Sequence, residues 1–236
     1  MKNNKFEWIR GKKELWQKKQ DTEDYEKEMG SYALNIDRQI VSNFLHAKGE
    51  VMLDLPCGTG RFTKFLENTG NKVIGADYSV NMLKTAKKRV KSTLIRCDAF
   101  NLPFKENIFD DVLTMRLIFH YNKPNDIIRE IKRVLRKDGV FVFDSLNKYS
   151  TRYSIDILLR MLRRKPGSRL WFARPQEVHR ILNSLDLEVT AVEYRYVLPT
   201  RTYRYFPKVL LNFFDKLEKI WPKSLRVLTY WKTIRQ

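Results

Sequence analysis

A chain of 236 residues, 43% hydrophobic and 31% charged, fits one α/β domain with elaborations, or at most two small domains, and excludes a disordered chain. Its two cysteines, Cys57 and Cys97, form neither a CxxC pair nor a secreted-type framework, which excludes a disulfide-stapled module and predicts a reducing compartment. The formal net charge of +19 is uneven: residues 1–145 carry 27 Lys+Arg against 20 Asp+Glu, and residues 146–236 carry 19 against 7. Such a field suits an anionic partner (nucleic acid, a membrane surface, or a phosphorylated or carboxylated substrate), and a general basic bias explains it equally well.

Residues 1–30 are polar with scattered aromatics (Phe6, Trp8, Trp16, Tyr25) and read as a helical segment that could act as a lid. The first residues hold no apolar core of signal-peptide length, and no run of eighteen apolar residues occurs, so the expectation is a cytoplasmic protein. Residues 33–45 read as an amphipathic helix with Leu34, Ile36, Ile40, Val41, Phe44 and Leu45 near one face. A regular alternation follows. Strands are predicted over 51–55, 73–76, 93–96, 109–115 and 140–144. Between them lie helices over 61–68, stopped by Gly70, over 80–90, capped by Ser79, and from Pro124 to near Arg136, with Gly139 just beyond. Strands alternating with helices predict βαβ units and a parallel sheet. Beyond them, helices are predicted over 155–163, 175–185 and 207–221, and strands over 187–197 and 228–234. The helix over 207–221 carries Val209, Leu210, Phe213, Phe214, Leu217 and Ile220 at helical spacing.

The strongest local signal is Leu53-Asp54-Leu55-Pro56-Cys57-Gly58-Thr59-Gly60-Arg61. A buried strand ends in an acid, and two glycines turn the chain into a helix. Glycine lets the backbone turn sharply and approach a ligand, and the helix aims free N–H groups back at the loop. The dinucleotide fingerprint needs a third glycine, but Thr63 stands there. Asp54 would repel a pyrophosphate and favour a ligand's ammonium group, which points to a zwitterionic or cationic ligand. Asp77 ends the second strand and Asp98 the third. A carboxylate at the second strand end can accept from ribose hydroxyls, and one at the third can accept from an adenine amino group while Ala99 offers a backbone N–H. One such acid alone is more often a helix cap. Three in register with a glycine loop favour a ligand crevice.

These residues resemble the class I S-adenosylmethionine-dependent methyltransferases, in particular the small-molecule group (methyltransferase type 11) that includes quinone-biosynthesis enzymes. The matching stretches are 53–60, Val73-Ile74-Gly75-Ala76-Asp77-Tyr78-Ser79 with Met82-Leu83, Asp98-Ala99 with Leu102-Pro103-Phe104, Phe109-Asp110, and Val134-Leu135-Arg136-Lys137-Asp138-Gly139. They cover about 33–145. The resemblance implies a doubly wound, Rossmann-like α/β sheet of seven strands, mostly parallel with an antiparallel last strand, and helices on both faces. It implies one domain over 1–236, with a cap over 1–45 and with 146–174 and 198–226 as insertions shaping the acceptor site. The cofactor implied is S-adenosyl-L-methionine, leaving S-adenosyl-L-homocysteine. Asp54, Pro56, Gly58 and Gly60 would hold its methionine part, Asp77 the ribose, Tyr78 and Met82 the faces of the adenine, and Asp98 and Ala99 its edge. Arg116 occupies a position that often touches the cofactor in this family, although arginine is unusual there.

The sulfonium makes the methyl carbon electrophilic, so the protein's task is alignment and exclusion of water. His120 and Tyr121, after the fourth strand, are the candidate general bases, and a structural histidine is the competing reading for His120. His46 and His179 read as surface or packing residues, and both cysteines as packing. No metal site is expected, because Met115-Arg116 stands where catechol-type enzymes carry an acid. The acceptor is open among a small acidic molecule, a lipid-like molecule on an anionic membrane, and RNA, in that order of preference. The basic, aromatic stretches 160–165 and 194–206 bear on all three. A cofactor-binding protein without turnover is the remaining alternative. Oligomeric state is not legible.

Overall fold

The apolar runs become strands and the amphipathic segments helices, because the central strands bury both faces and the helices cover them. The computed structural model describes residues 30–46, 50–122, 124–163 and 170–236. The expected lid over 1–29 therefore lies outside the described residues, as do the basic side chains of the 160–165 stretch. In chain order the first elements are α1 (Ser31–Phe44), β1 (Val51–Asp54), α2 (Arg61–Asn68), β2 (Lys72–Asp77), α3 (Val80–Lys87) and β3 (Thr93–Arg96). Next come β4 (Phe109–Thr114), a 3-10 turn at Ile118–His120, α4 (Asn125–Val134) and β5 (Leu135–Asn147). The remainder holds α5 (Thr151–Arg163), β6 (Phe172–Ala173), α6 (Pro175–Asn183), β7 (Leu187–Arg195), α7 (Lys208–Ile220) and β8 (Leu228–Arg235). Two further 3-10 turns, Thr200–Tyr205 and Lys223–Leu225, flank α7.

The sheet order is β3-β2-β1-β4-β5-β8-β7, with the two-residue β6 paired to the end of β5. Pairing is parallel from β3 to β5, and β8 is antiparallel to both β5 and β7. This is the expected mostly parallel, Rossmann-like sheet with an antiparallel last strand, and the short β6 makes eight strands where seven were expected. Alternate side chains feed two cores. Leu53, Val112, Phe141, Phe143 and Trp231 face Ile127, Ile131 and Leu182 of α4 and α6. Their neighbours Met52, Leu113, Val140, Val142 and Tyr230 face Ile40, Val41 and Phe44 of α1 and Leu66 of α2. Among the described residues no helix is long and apolar enough to cross a membrane.

Of the differences from the sequence reading, three bear on how the chain packs. Helix α4 ends at Val134 rather than near Arg136, and β5 runs from Leu135 instead of 140. Leu135 pairs with Phe109, residues 136–138 loop outward, and pairing resumes at Val140 opposite Asp111. That is a bulge, and a polar Arg-Lys-Asp run hides it from a hydrophobicity pattern. The third difference is α7. Its apolar residues form two stripes: Leu211 and Phe214 pack on the core, while Val209, Phe213 and Ile220 face outward.

The buried face of α1 also carries Asp37, which is fully buried. Its carboxylate accepts hydrogen bonds from the Tyr196 hydroxyl at 2.9 Å, from the Tyr230 hydroxyl, and from Nη2 of Arg116 at 2.6 Å. The other arm of Arg116 pairs with Asp144 at the end of β5, whose Oδ1 also accepts the Arg116 backbone N–H at 2.7 Å. Burial alone would lower the guanidinium's pKa, but Asp37 and Asp144 outweigh it and hold Arg116 charged. Removing one partner of such a group strands the others without water. Asp37→Ala is expected to cost about 3–5 kcal/mol, read as a lowered midpoint in urea unfolding; a loss within the noise of a surface substitution would contradict this role.

Candidate functional site

Strand β1 ends at Asp54, and residues 55–60 turn the chain into α2. The loop is laced to β2 by the Cys57 N–H donating to the Ala76 carbonyl at 2.8 Å, and it closes with the Gly60 N–H on the Cys57 carbonyl at 2.9 Å. Its two glycines differ in purpose. Gly58 has φ +54°, and a Cβ there would meet no atom within 4 Å, so its bare face borders open space. Gly60 has φ +80°, but a Cβ there would lie 2.9 Å from Val90 Cγ1 and 3.2 Å from Ala86 Cβ. Gly58 leaves room for a ligand, and Gly60 lets α2 begin against the chain around α3.

Asp77, the last residue of β2, fixes the loop from the other side. Its Oδ2 accepts the Gly58 N–H at 2.9 Å and its Oδ1 accepts the Ser79 N–H at 2.8 Å. Ser79 in turn caps α3 by accepting the Met82 N–H at 3.4 Å. Asp98 follows β3, and its Oδ1 accepts the Phe100 N–H at 3.1 Å. All of this happens beside the break in strand order between β1 and β4, where open α/β sheets place their ligand crevice.

A cavity lies there. Pro56, Gly58, Asp77, Tyr78, Met82, Asp98, Ala99, Arg116, His120 and Tyr121 all line it, together with Cys57, Arg61, Phe62 and Met115. Asp54 and Gly60 stand behind this lining. Asp54 is buried, and its Oδ2 accepts the Thr63 hydroxyl at 2.6 Å. Arg116 lines the cavity, while its guanidinium is engaged by Asp37 and Asp144. Tyr121 is buried, packs edge-on against Phe100 at 5.1 Å, and has its pKa pushed up to about 12 by burial and by Asp98. It keeps its proton at neutral pH, which argues against Tyr121 as a general base. His120 closes the 3-10 turn, its ring 4.8 Å from that of Phe119. Burial also pushes both cysteine thiols up, so Cys57 and Cys97 are neutral thiols, consistent with packing. His46 lies outside the lining and pairs with Asp111 at 2.7 Å, and His179 packs on Trp231.

Asp37, Asp144, Tyr196 and Tyr230, which together hold Arg116, were not singled out by the sequence reading. The one available signal was Asp37 falling in step with Ala33, Ile40, Val41 and Phe44 on the buried face of α1.

Residues 53–143 match the family described as a methyltransferase domain. An uncharacterized protein of Methanocaldococcus jannaschii is 31% identical over 129 residues, which cover 55% of this chain and 49% of that protein. A malonyl-[acyl-carrier protein] O-methyltransferase of Buchnera aphidicola is 34% identical over 136 residues, covering 55% of either chain. The chain thus spans about half the length of these curated relatives. A solved S-adenosylmethionine-dependent methyltransferase of Thermotoga maritima shares the fold, with a TM-score of 0.62 at 18% identity over 86% of this chain and 89% of that one.

The electrostatics of the loop make a pH prediction. Burial pushes Asp54 up to about 7, the Thr63 hydrogen bond opposes this, and nearby Asp77 adds to it. The folded chain keeps that proton between pH ~4 and ~7 while the unfolded chain loses it, so stability falls as pH rises through this window and levels off above it. Asp54→Asn keeps an acceptor for Thr63 and removes the buried charge. It is expected to stabilise the empty protein by a few kcal/mol at pH 8, roughly, and by less at pH ~5. Thermal unfolding at the two pH values tests this; an equal or opposite difference would contradict it.

Proposed function

From the methyltransferase domain at 53–143, we infer that the chain is an S-adenosylmethionine-dependent methyltransferase acting on a small-molecule acceptor. One observation carries the reading: a bare glycine face and two strand-end acids, Asp77 and Asp98, converge on one cavity, with a third acid buried behind it. The cavity's chemistry fits the cofactor. Asp54 and Asp77 are carboxylates made costly by burial, and a ligand bearing an ammonium and a sulfonium offsets that cost.

When bound, the cofactor supplies an electrophilic methyl group on sulfur. Gly58 and Pro56 border the side assigned to its methionine part, with Gly60 setting the turn and Asp54 providing negative field from behind. Asp77 would accept from the ribose hydroxyls. Asp98 would accept from the adenine amino group while the Ala99 N–H would donate to the ring, and Tyr78 and Met82 would take its faces. Tyr121 belongs with this adenine end, given its packing against Phe100 and its sensitivity to Asp98. Arg116 contributes to the wall while its guanidinium is held by Asp37 and Asp144. His120, which lines the same cavity, would take the proton of the acceptor's nucleophile, and the cavity would hold that nucleophile in line with the methyl group.

The acceptor is read as acidic. Arg152 on α5 stands over the Phe172 ring at 5.9 Å, and its pKa is lowered by burial and by repulsion from Arg201 and Arg116, which Asp156 opposes in part. The adjoining Trp171 N–H donates to the Phe119 carbonyl at 2.7 Å, which ties this segment to the His120 turn. A carboxylate or phosphate on the acceptor would relieve that crowding. The malonyl-[acyl-carrier protein] O-methyltransferase relative, whose name gives a malonyl substrate, supports a carboxylated acceptor. Two free thiols suit the reducing cytoplasm.

Isothermal titration with S-adenosylhomocysteine is expected to show binding that Asp77→Ala or Asp98→Ala weakens about tenfold or more. Incubation with methyl-labelled S-adenosylmethionine and a cell extract is expected to move label to a small acidic product, and His120→Ala to slow this about a hundredfold with S-adenosylhomocysteine binding intact. Binding without any label transfer would leave a cofactor-binding protein and defeat the enzymatic reading.

A further inference from the structure

Large exposed apolar side chains are not scattered over this surface. Among the described residues, all but Val80 lie between 149 and 225. They concentrate on two helices. On α5, Leu158, Met161 and Leu162 stand 54%, 74% and 70% exposed. On α7, Val209, Phe213 and Ile220 stand 81%, 55% and 81% exposed, spaced to share one outward face with Lys216. The core accounts for the opposite stripe of α7, through Leu211 and Phe214, and among the described residues it does not extend to this one. Scattered apolar residues need no explanation, but stripes on adjacent insertions do.

The charge beside the α7 stripe is mostly basic, while α5 carries Asp156 as well as arginines. Lys208, Lys216, Lys219 and Lys223 belong to α7 and the turn after it. Of the acids on α7, Asp215 accepts from the Tyr32 hydroxyl, and Glu218 is buried against Arg195 and Arg226. The topology puts both helices at the cavity's edge of the sheet. Helix α5 follows the carboxyl end of β5, and α7 follows that of β7. Both strands run antiparallel to β8, and β5 runs parallel to β4, so they share the direction of β4 and β1. The roots of the two insertions are joined by the Thr151 hydroxyl donating to the Val197 carbonyl at 2.9 Å.

We propose that the outward faces of α5 and α7 dock on an anionic lipid bilayer and set the cavity's edge of the sheet toward the membrane surface. An apolar stripe bounded by lysines, as on α7, is the chemistry of an interfacial helix: the apolar face enters the acyl boundary while the lysines meet anionic headgroups, and the apolar face of α5 adds to the insertion. A second copy of the chain would bring lysines against lysines across a two-fold axis. RNA would find lysines for its phosphates, but Phe213 is the one ring among the six stripe residues, and Val209, Ile220, Leu158 and Leu162 offer none for a base. The proposal stands on these side chains and does not depend on the methyl-donor reading.

The test is flotation of the full chain with vesicles of phosphatidylcholine alone and of phosphatidylcholine with phosphatidylglycerol. Binding is expected to the anionic vesicles, about tenfold above the neutral ones. The variant Val209→Ser, Phe213→Ser, Ile220→Ser is expected to lose about tenfold of it, and Leu158→Ser, Met161→Ser, Leu162→Ser a comparable share. Both variants should keep the wild-type melting temperature and S-adenosylhomocysteine affinity, so a docking defect is separable from misfolding and from failure of the donor site. Absence of binding to anionic vesicles would overturn the proposal. So would binding that salt abolishes and both serine variants retain, which indicates a general polyanion surface. A dimer in sedimentation equilibrium that the serine variants dissociate, without vesicle binding, would assign the face to a second copy.

Discussion

The guanidinium of Arg116 is the point on which the several parts of this fold meet. It leaves the end of β4 from a left-handed backbone conformation (φ 62°) and pairs with Asp37 of α1 and Asp144 of β5. Asp37 then gathers the hydroxyls of Tyr196, just after β7, and Tyr230 of β8. One buried cation so ties the helix before the sheet to its central and last strands. A buried ion pair is weak evidence for stability in itself, but once formed it forbids any arrangement that leaves a member unpaired. Here that specifies how α1 lies on the sheet and how the β5-β8-β7 side joins the rest. It also withdraws the guanidinium from ligand duty while the residue still walls the cavity.

The donor side works by the opposite logic. The carboxylate of Asp77 is spent on backbone N–H groups of the loop and of the Ser79 turn, which sets Gly58 in place before any ligand arrives. Burial raises the pKa of both Asp54 and Asp77, so the empty protein holds two acids in an unfavourable state. A cationic ligand turns that disadvantage into affinity. The cavity is thus preorganised by hydrogen bonds and biased by desolvation, two effects that favour the same class of ligand.

Much of this was legible in the sequence because it rests on local rules. The glycine turn, the Ser79 cap and the strand-end acids each follow from backbone geometry within a few residues, and their order along the chain foretells the crevice. Gly60 shows the limit of that reading: its motif position suggests ligand contact, whereas its neighbours Val90 and Ala86 give it a packing role. Asp37 was illegible because its partners lie 79 to 193 residues away, and a lone acid in a helix reads as solvated. The two stripes of α7 merged into one for a related reason: 209, 213 and 220 are helically spaced whether they meet a core or stand exposed. Hydrophobic spacing identifies a helix, and only the tertiary contacts assign each stripe a side.

The central claim is that one crevice, bounded by the loop at 55–60 and the acids Asp77 and Asp98, receives S-adenosylmethionine. A crystal structure of the full chain grown with S-adenosylhomocysteine tests this most directly. The expected result places ribose hydroxyls on Asp77, the adenine amino group on Asp98 with Tyr78 and Met82 at its faces, and the amino-acid end beside Gly58. Electron density for the ligand elsewhere, or in this crevice with its adenine away from Asp98, would contradict the account.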